Sequence, residues 1–276
     1  MGETSGSYPS VVDLTQPNIA RVFDYFLGGS LNAEADRQAA RRIVESMPDL
    51  PTLLRANRAF AVRAVRLLAE AGVRQYLDLG SGLATAGAVH EITREAGVEA
   101  RVLYVDNDPV VAAHNHLLVP QRTCAALQAD LRDTVSVLAS PQARRLFDPA
   151  QPTAVLLIAV LDSLPYADRP AEIVARYRNA LAAGSCLALT HAAPLTGTVQ
   201  AARAYSKDIA PIHLRTRSEI AAILNGWDLI HPGLVPTTQW RPEPTATVHS
   251  AARLSGLAAV ACKPDGADAA AFSGSK

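Results

Sequence analysis

The stretch Tyr76-Leu77-Asp78-Leu79-Gly80-Ser81-Gly82-Leu83 constrains the fold more than any other part of the chain. A short apolar run follows the turn at Ala71-Gly72, ends in a small-residue loop, and passes into a helix-forming run from Ala84. That order predicts a strand, a tight turn and a helix N-terminus. Glycine at 80 and 82 lets the chain turn sharply and brings bare backbone against a ligand, where N–H groups of the helix start can reach it. A nucleoside cofactor suits such a loop.

The loop departs from the dinucleotide fingerprint G-x-G-x-x-G, since Thr85 stands where the third glycine belongs and the next glycine is Gly87. Asp78, two residues before the loop, would repel a pyrophosphate and favour a ligand carrying ammonium or sulfonium charge. S-adenosylmethionine has both charges and no phosphate. A plain strand-to-helix turn is the competing reading, because D-x-G-x-G is a short signal.

Downstream the pattern alternates. Strands are expected at 101–105, 123–128, 154–160 and 186–190, with Asp108-Pro109 opening the helix after the second and a helix over 170–183 after the fourth. Such alternation implies a parallel sheet with right-handed crossovers. Upstream, helices are expected from Pro17 to Gly28-Gly29, from an Asn32 cap to Ser46, and from Leu53 to Glu70, with Pro48 and Pro51 as breakers. The last third predicts a helix over 197–209, another capped by Thr216 with Glu219 three residues on, and closing strands at 227–230 and 257–262. Residues 1–16 read as a loose arm, 17–263 as one domain with a helical lid over 17–71, and 264–276 as a disordered tail.

Acids at the strand ends carry the chemistry. Asp106 ends the second strand where a carboxylate meets ribose hydroxyls, with Asn107 beside it, while Asp108 fits a helix cap better. Asp130 follows the third strand, where it can accept the adenine amine, with the Leu131 N–H offered to a ring nitrogen. His191, Asp162 and Tyr25 are weak catalytic candidates. A hydrogen-bonded structural role is the commoner one for a histidine such as His191, and Tyr166, Tyr205 and Trp240 are packing residues more often than pocket walls.

Lysine plus arginine equals aspartate plus glutamate at 26 each, so no net charge draws the 276-residue chain to nucleic acid or to an anionic membrane. No run is long and apolar enough to span a bilayer, and no secretory leader is evident. The three cysteines are far apart and form no CxxC pair, which argues against a zinc site or a disulfide framework and fits a reducing cytoplasm. The histidines have no metal-ligand spacing, so no metal is expected.

The chain resembles the class I S-adenosylmethionine-dependent methyltransferases, and more narrowly the actinobacterial S-adenosyl methyltransferase family first defined as a domain of unknown function. The matching segments are RVFDYFLGGSLNAEADRQAA, RANRAFAVRAV, QYLDLGSGLATAGAVHE, RVLYVDNDPVVAAH, ADLRD, PAEIVARYRNALAAGSCLALTHA and GWDLIHPGLVPTTQWRP. The resemblance implies a Rossmann-like α/β fold with a seven-stranded, mostly parallel sheet whose last strand is antiparallel, plus extra N-terminal helices. It places the methionine moiety on Asp78, Gly80, Ser81 and Gly82, ribose on Asp106 and Asn107, and adenine on Asp130 and Leu131. It also suggests that the Phe23–Gly29 segment closes over the cofactor, with Arg21, Tyr25 and Asn57 among the contacts. Leu161-Asp162-Ser163 replaces a stretch that is often histidine-rich in the family, at a position bordering the transferring methyl group. The expected function is methyl transfer to a small-molecule acceptor in specialised metabolism. The alternatives are a cofactor-binding protein without turnover and a cyclase releasing methylthioadenosine.

Overall fold

The computed structural model describes residues 13–85, 87–194, 199, 202, 203, 206, 210–242 and 256–264. Eight strands form one sheet: β1 Gln75–Leu79, β2 Arg101–Asp106, β3 Cys124–Gln128, β4 Thr153–Leu157, β5 Cys186–His191, β6 Asp228–Leu229, β7 Val235–Pro236 and β8 Leu257–Cys262. The order is β3-β2-β1-β4-β5-β8-β6, with β7 also on β8. β1 to β5 are parallel and β8 runs antiparallel to β5, as the resemblance implies. The eighth strand arises because the edge beside β8 is interrupted at 231–234, so β6 and β7 pair with successive parts of the same neighbour.

The central strands are buried on both faces, which accounts for their unbroken apolar runs. One face packs on α6 Thr134–Leu138, α7 Pro141–Leu146, α8 Pro170–Ala180 and α9 Arg217–Ile223 through residues such as Leu146, Ile173, Tyr177 and Ile220. The other packs on α3 Leu50–Glu70 and α4 Val89–Glu95 through Phe60, Val65, Leu68 and Ile92. α5 Pro109–Leu118 starts at Asp108, whose carboxylate accepts the Val110 N–H at 2.8 Å.

α1 Ile19–Phe26 and α2 Glu34–Ser46 pack with the start of α3 around a separate apolar cluster, including Val22, Phe26, Ile43 and Leu54. The Asn18 side chain caps α1 and also donates to Asp108, tying α1 to the turn between β2 and α5. α1 ends in a Schellman turn: the Gly29 N–H reaches Asp24 O at 2.8 Å and the Gly28 N–H reaches Tyr25 O at 3.1 Å, with Gly28 at φ +82°.

Several boundaries differ from the sequence expectation. α2 begins at Glu34, not after an Asn32 cap: the Asn32 side chain donates instead to Asp24 and to Gly29 O. α3 begins at Leu50, because Pro51 sits in its first turn, where the missing N–H has no partner to lose. β4 stops at Leu157, and Ala159 takes φ +52° before a 3-10 turn over Leu161–Ser163. The helix after the glycine loop begins at Val89, so the loop is longer than expected. Most of the 197–209 helix, Tyr205, residues 1–12 and the tail from 265 lie outside the described residues. The cysteine reading is corrected: Cys186 and Cys262 are directly opposed in β5 and β8, with Cα atoms 4.1 Å apart, and are disulfide-bonded. Their separation of 76 residues hid a register that only sheet pairing creates.

Candidate active site

Two adjoining chambers lie between the C-terminal ends of β1, β4 and β5 and the helices α1 and α3. The first, about 140 Å³, is lined by the end of β1, the loop from Gly80 to Gly87, and Phe23, Asp24, Asn57 and Arg58 from the helices above. Its geometry depends on glycine: Gly80 has φ +68°, and a Cβ there would stand 2.2 Å from Val160 Cγ2. Gly80 and Ser81 N–H groups both reach Val105 O, which folds the loop back over β2.

Acids dominate this chamber and its rim. Burial pushes the Asp78 carboxyl up to about 7, the Asp106 charge adds to the rise, and the Arg58 charge opposes it. Asp106 accepts the Gly82 N–H at 2.9 Å and the Asp108 N–H at 3.0 Å, bracing the glycine loop, and burial raises its carboxyl too. Asn107 is exposed beside it. Asp130 is bonded to Arg132, which also reaches Asp168 and holds the Asp130 carboxyl below its usual value. Leu131 is buried, its carbonyl accepting from Tyr177 Oη.

Asp24 belongs to the Phe23–Gly29 segment expected over the cofactor, but the sequence did not single it out as a contact. It is 3% exposed, its Oδ2 accepts from Leu31 N and Asn32 Nδ2, and its buried Oδ1 has no partner among the described residues. Gly29 makes room for it, since a Cβ there would fall 1.9 Å from Oδ1. Only the D-x-x-x-x-G spacing hinted at this packing. An orphaned carboxylate oxygen and a half-buried Asp78 around a glycine cradle fit a ligand with ammonium and sulfonium charge, and fit a polyphosphate poorly.

The lid residues expected at the cofactor divide. Asn57 lines the chamber, whereas Arg21 and Tyr25 do not. Arg21 is buried in an ion pair with Asp36 at 2.7 Å, its second nitrogen reaching Gln16 O, and Tyr25 packs with the lid cluster. Asp36 accepts from Asn18 N and Ala33 N as well.

The second chamber, of similar volume at about 140 Å³, shares Phe23, Leu54, Asn57 and Ala159 with the first. Its walls are apolar, among them Ile19, Met47, Leu50, Pro211, Ile212 and Leu214, and its polar end holds Asp162 and His191. His191 Nδ1 lies 2.8 Å from Asp162 Oδ1 and 2.9 Å from Ala192 O, and Nε2 lies 2.9 Å from Arg215 Nη1. Arginine offers only donors, so Nε2 accepts and the ring proton sits on Nδ1. Both His191 nitrogens are therefore engaged. Arg215 is 2% exposed and also donates to Leu161 O and Leu164 O. The aromatics lie elsewhere: Trp240 is buried edge-on to Phe60 at 5.2 Å, and Tyr166 Oη donates to Leu214 O. Among the described residues no group of three side chains is arranged to hold a metal, and no helix is long and apolar enough to cross a membrane.

A family model described as S-adenosyl methyltransferase matches residues 5–264. The crystal structure of a DUF574 family protein from Streptomyces avermitilis is 35% identical, covering 91% of this chain and 99% of its own, with a TM-score of 0.85. A Thermobifida fusca protein classed with the methyltransferases is 38% identical over 91% of this chain and 96% of its own, with a TM-score of 0.83. A Mesorhizobium loti S-adenosylmethionine-dependent methyltransferase, 17% identical over 74% of this chain and 96% of its own at a TM-score of 0.51, is alike in fold. No curated protein matches the chain. Sheet order, acidic glycine-loop chamber and these matches agree, and the chain belongs to the S-adenosyl methyltransferase family as an S-adenosylmethionine-dependent methyltransferase.

Proposed function

We propose that the protein methylates a small molecule seated in the apolar chamber. The observation that carries this reading is the shared wall: the two chambers meet at Phe23, Leu54, Asn57 and Ala159, so a cofactor in one faces an acceptor in the other. S-adenosylmethionine, when bound, supplies a methyl group already activated by positive sulfur. The protein then needs mainly to align an acceptor about 3 Å away and exclude water.

In this reading Gly80, Ser81 and Gly82 cradle the methionine part, Asp78 faces its positive charge, and Asp24 Oδ1 takes its ammonium. Asp106 and Asn107 hold ribose, while the Leu131 N–H and Asp130 meet adenine. A carboxylate offers about four lone-pair sites, so Asp130 can accept the exocyclic amine while keeping Arg132. Asn57 stands at the junction. Arg21 and Tyr25 serve the lid rather than the ligand.

The test is to incubate the enzyme and S-adenosylmethionine with a cell extract divided into a fraction below about 1 kDa and a macromolecular fraction, and to measure the released nucleoside by mass spectrometry. S-adenosylhomocysteine formed with the small-molecule fraction is expected. Turnover with macromolecules alone, or methylthioadenosine as main product, would contradict the reading.

A further inference from the structure

The second chamber carries one carboxylate, Asp162, among a few polar side chains that include Asn57, Ser163 and His191. Asp162 lies at its inner end with a side chain 13% exposed. Oδ1 is committed, accepting the Ala192 N–H at 2.9 Å and facing His191 Nδ1 at 2.8 Å. No described residue donates to Oδ2 among the hydrogen bonds of this segment. The 3-10 turn over Leu161–Ser163 fixes the carboxylate, and the Asp162 carbonyl is held by the His213 N–H at 2.8 Å.

A carboxylate oxygen in a largely apolar chamber costs free energy until a donor meets it. It repels carboxylates and phosphates and attracts N–H groups or cations. A neutral hydroxyl brings it a single donor, whereas an ammonium brings donors and a full opposite charge. An ordinary alkylamine has a pKa near that of lysine, about 10.4, and enters as that ammonium. One proton must pass to water before the nitrogen lone pair can attack, and the positive charge that returns to nitrogen as the bond forms is stabilised by the neighbouring carboxylate.

We propose that the chamber takes a small hydrophobic amine that donates an N–H to Asp162 Oδ2 and is methylated on that nitrogen; this rests on the methyl-transfer reading above. The nitrogen lone pair forms the new N–C bond while the C–S bond breaks, its electron pair staying on sulfur, which becomes the neutral thioether of S-adenosylhomocysteine. Positive charge passes from sulfur to nitrogen. The product leaves as the methylated ammonium, the one proton released having passed to water before attack. The Phe23, Leu54 and Met47 walls accept the acceptor's hydrocarbon body.

The test uses the full chain with S-adenosylhomocysteine present and three probes of similar size: phenethylamine, 4-ethylphenol and phenylacetate. Cofactor binding is first measured by calorimetry, and its absence would count against the methyltransferase reading rather than against the amine. With cofactor bound, phenethylamine should bind at least tenfold more tightly than either other probe. Asp162→Asn should erase that preference while S-adenosylhomocysteine still binds. Because Asp162 also anchors its own loop, Met47→Trp provides a second arm: it fills the chamber and should abolish amine binding with cofactor affinity unchanged. Equal or better binding of the phenol or acid, no binding of any probe, or an amine preference that survives Asp162→Asn overturns the proposal.

Discussion

The sequence places Asp106 at ribose as an expectation, from its distance beyond the glycine loop, but does not show it as a brace for that loop, since the bond from Gly82 N spans 24 residues. Asp106→Ala should weaken S-adenosylhomocysteine binding at least about tenfold, as expected for losing bonds of about 1.5 to 3 kcal/mol to a charged group. Calorimetry with the 2′-deoxy analogue separates the two roles: the wild type should lose affinity for it and the variant should lose nothing more. Asp78 gives a pH signature. Its carboxyl is pushed up to about 7 by burial, so below that pH a proton must leave before a cationic ligand can bind. Cofactor affinity should therefore fall as pH drops from 7 to 5.5, approaching tenfold per unit, and Asp78→Asn should bind weakly with a flat profile. The sign for the ligand-free protein follows from the same shift: the folded form holds a proton that the unfolded form releases near 3.9, so stability falls as pH rises from about 4 to about 7. Titrations at each pH, kept below the range where the cofactor's own amine titrates, decide it.

Among the elements, the central strands and the caps at Asp108 and Thr216 were readable, because periodicity and capping are local. The lid's internal wiring was not. Arg21 sits in a segment expected at the cofactor, yet Asp36, fifteen residues on, claims it in a buried pair. Sequence distance along two helices could not show which face of α1 turns inward. Phe23 and Asp24 point to the chamber, and Arg21 and Tyr25 do not. Removing one partner of a buried pair costs on the order of 3 to 5 kcal/mol, since the other charge is left uncompensated. Asp36→Ala should therefore raise amide exchange through α1 and α2, read by hydrogen-exchange mass spectrometry, and weaken cofactor binding while exchange in β1 and β4 stays slow. Unchanged protection in α1 would show that the pair does not hold the lid.

At the scale of the molecule, the parallel sheet was legible from the alternation of strands and helices, and its antiparallel last strand from the family resemblance. What escaped depended on surfaces meeting across the fold: the Cys186–Cys262 pair, the short β7, the orphaned Asp24 oxygen, and the joining of two chambers at Ala159. That junction is the centre of the functional account. Ala159 holds a left-handed φ of 52° there, conformational strain of the kind retained at functional sites. A crystal structure with S-adenosylmethionine bound tests it most directly. The account predicts the sulfonium beside Phe23, Leu54, Asn57 and Ala159, its methyl aimed into the apolar chamber toward Asp162 and the ammonium against Asp24; a methyl directed to solvent or back into the glycine loop would contradict it.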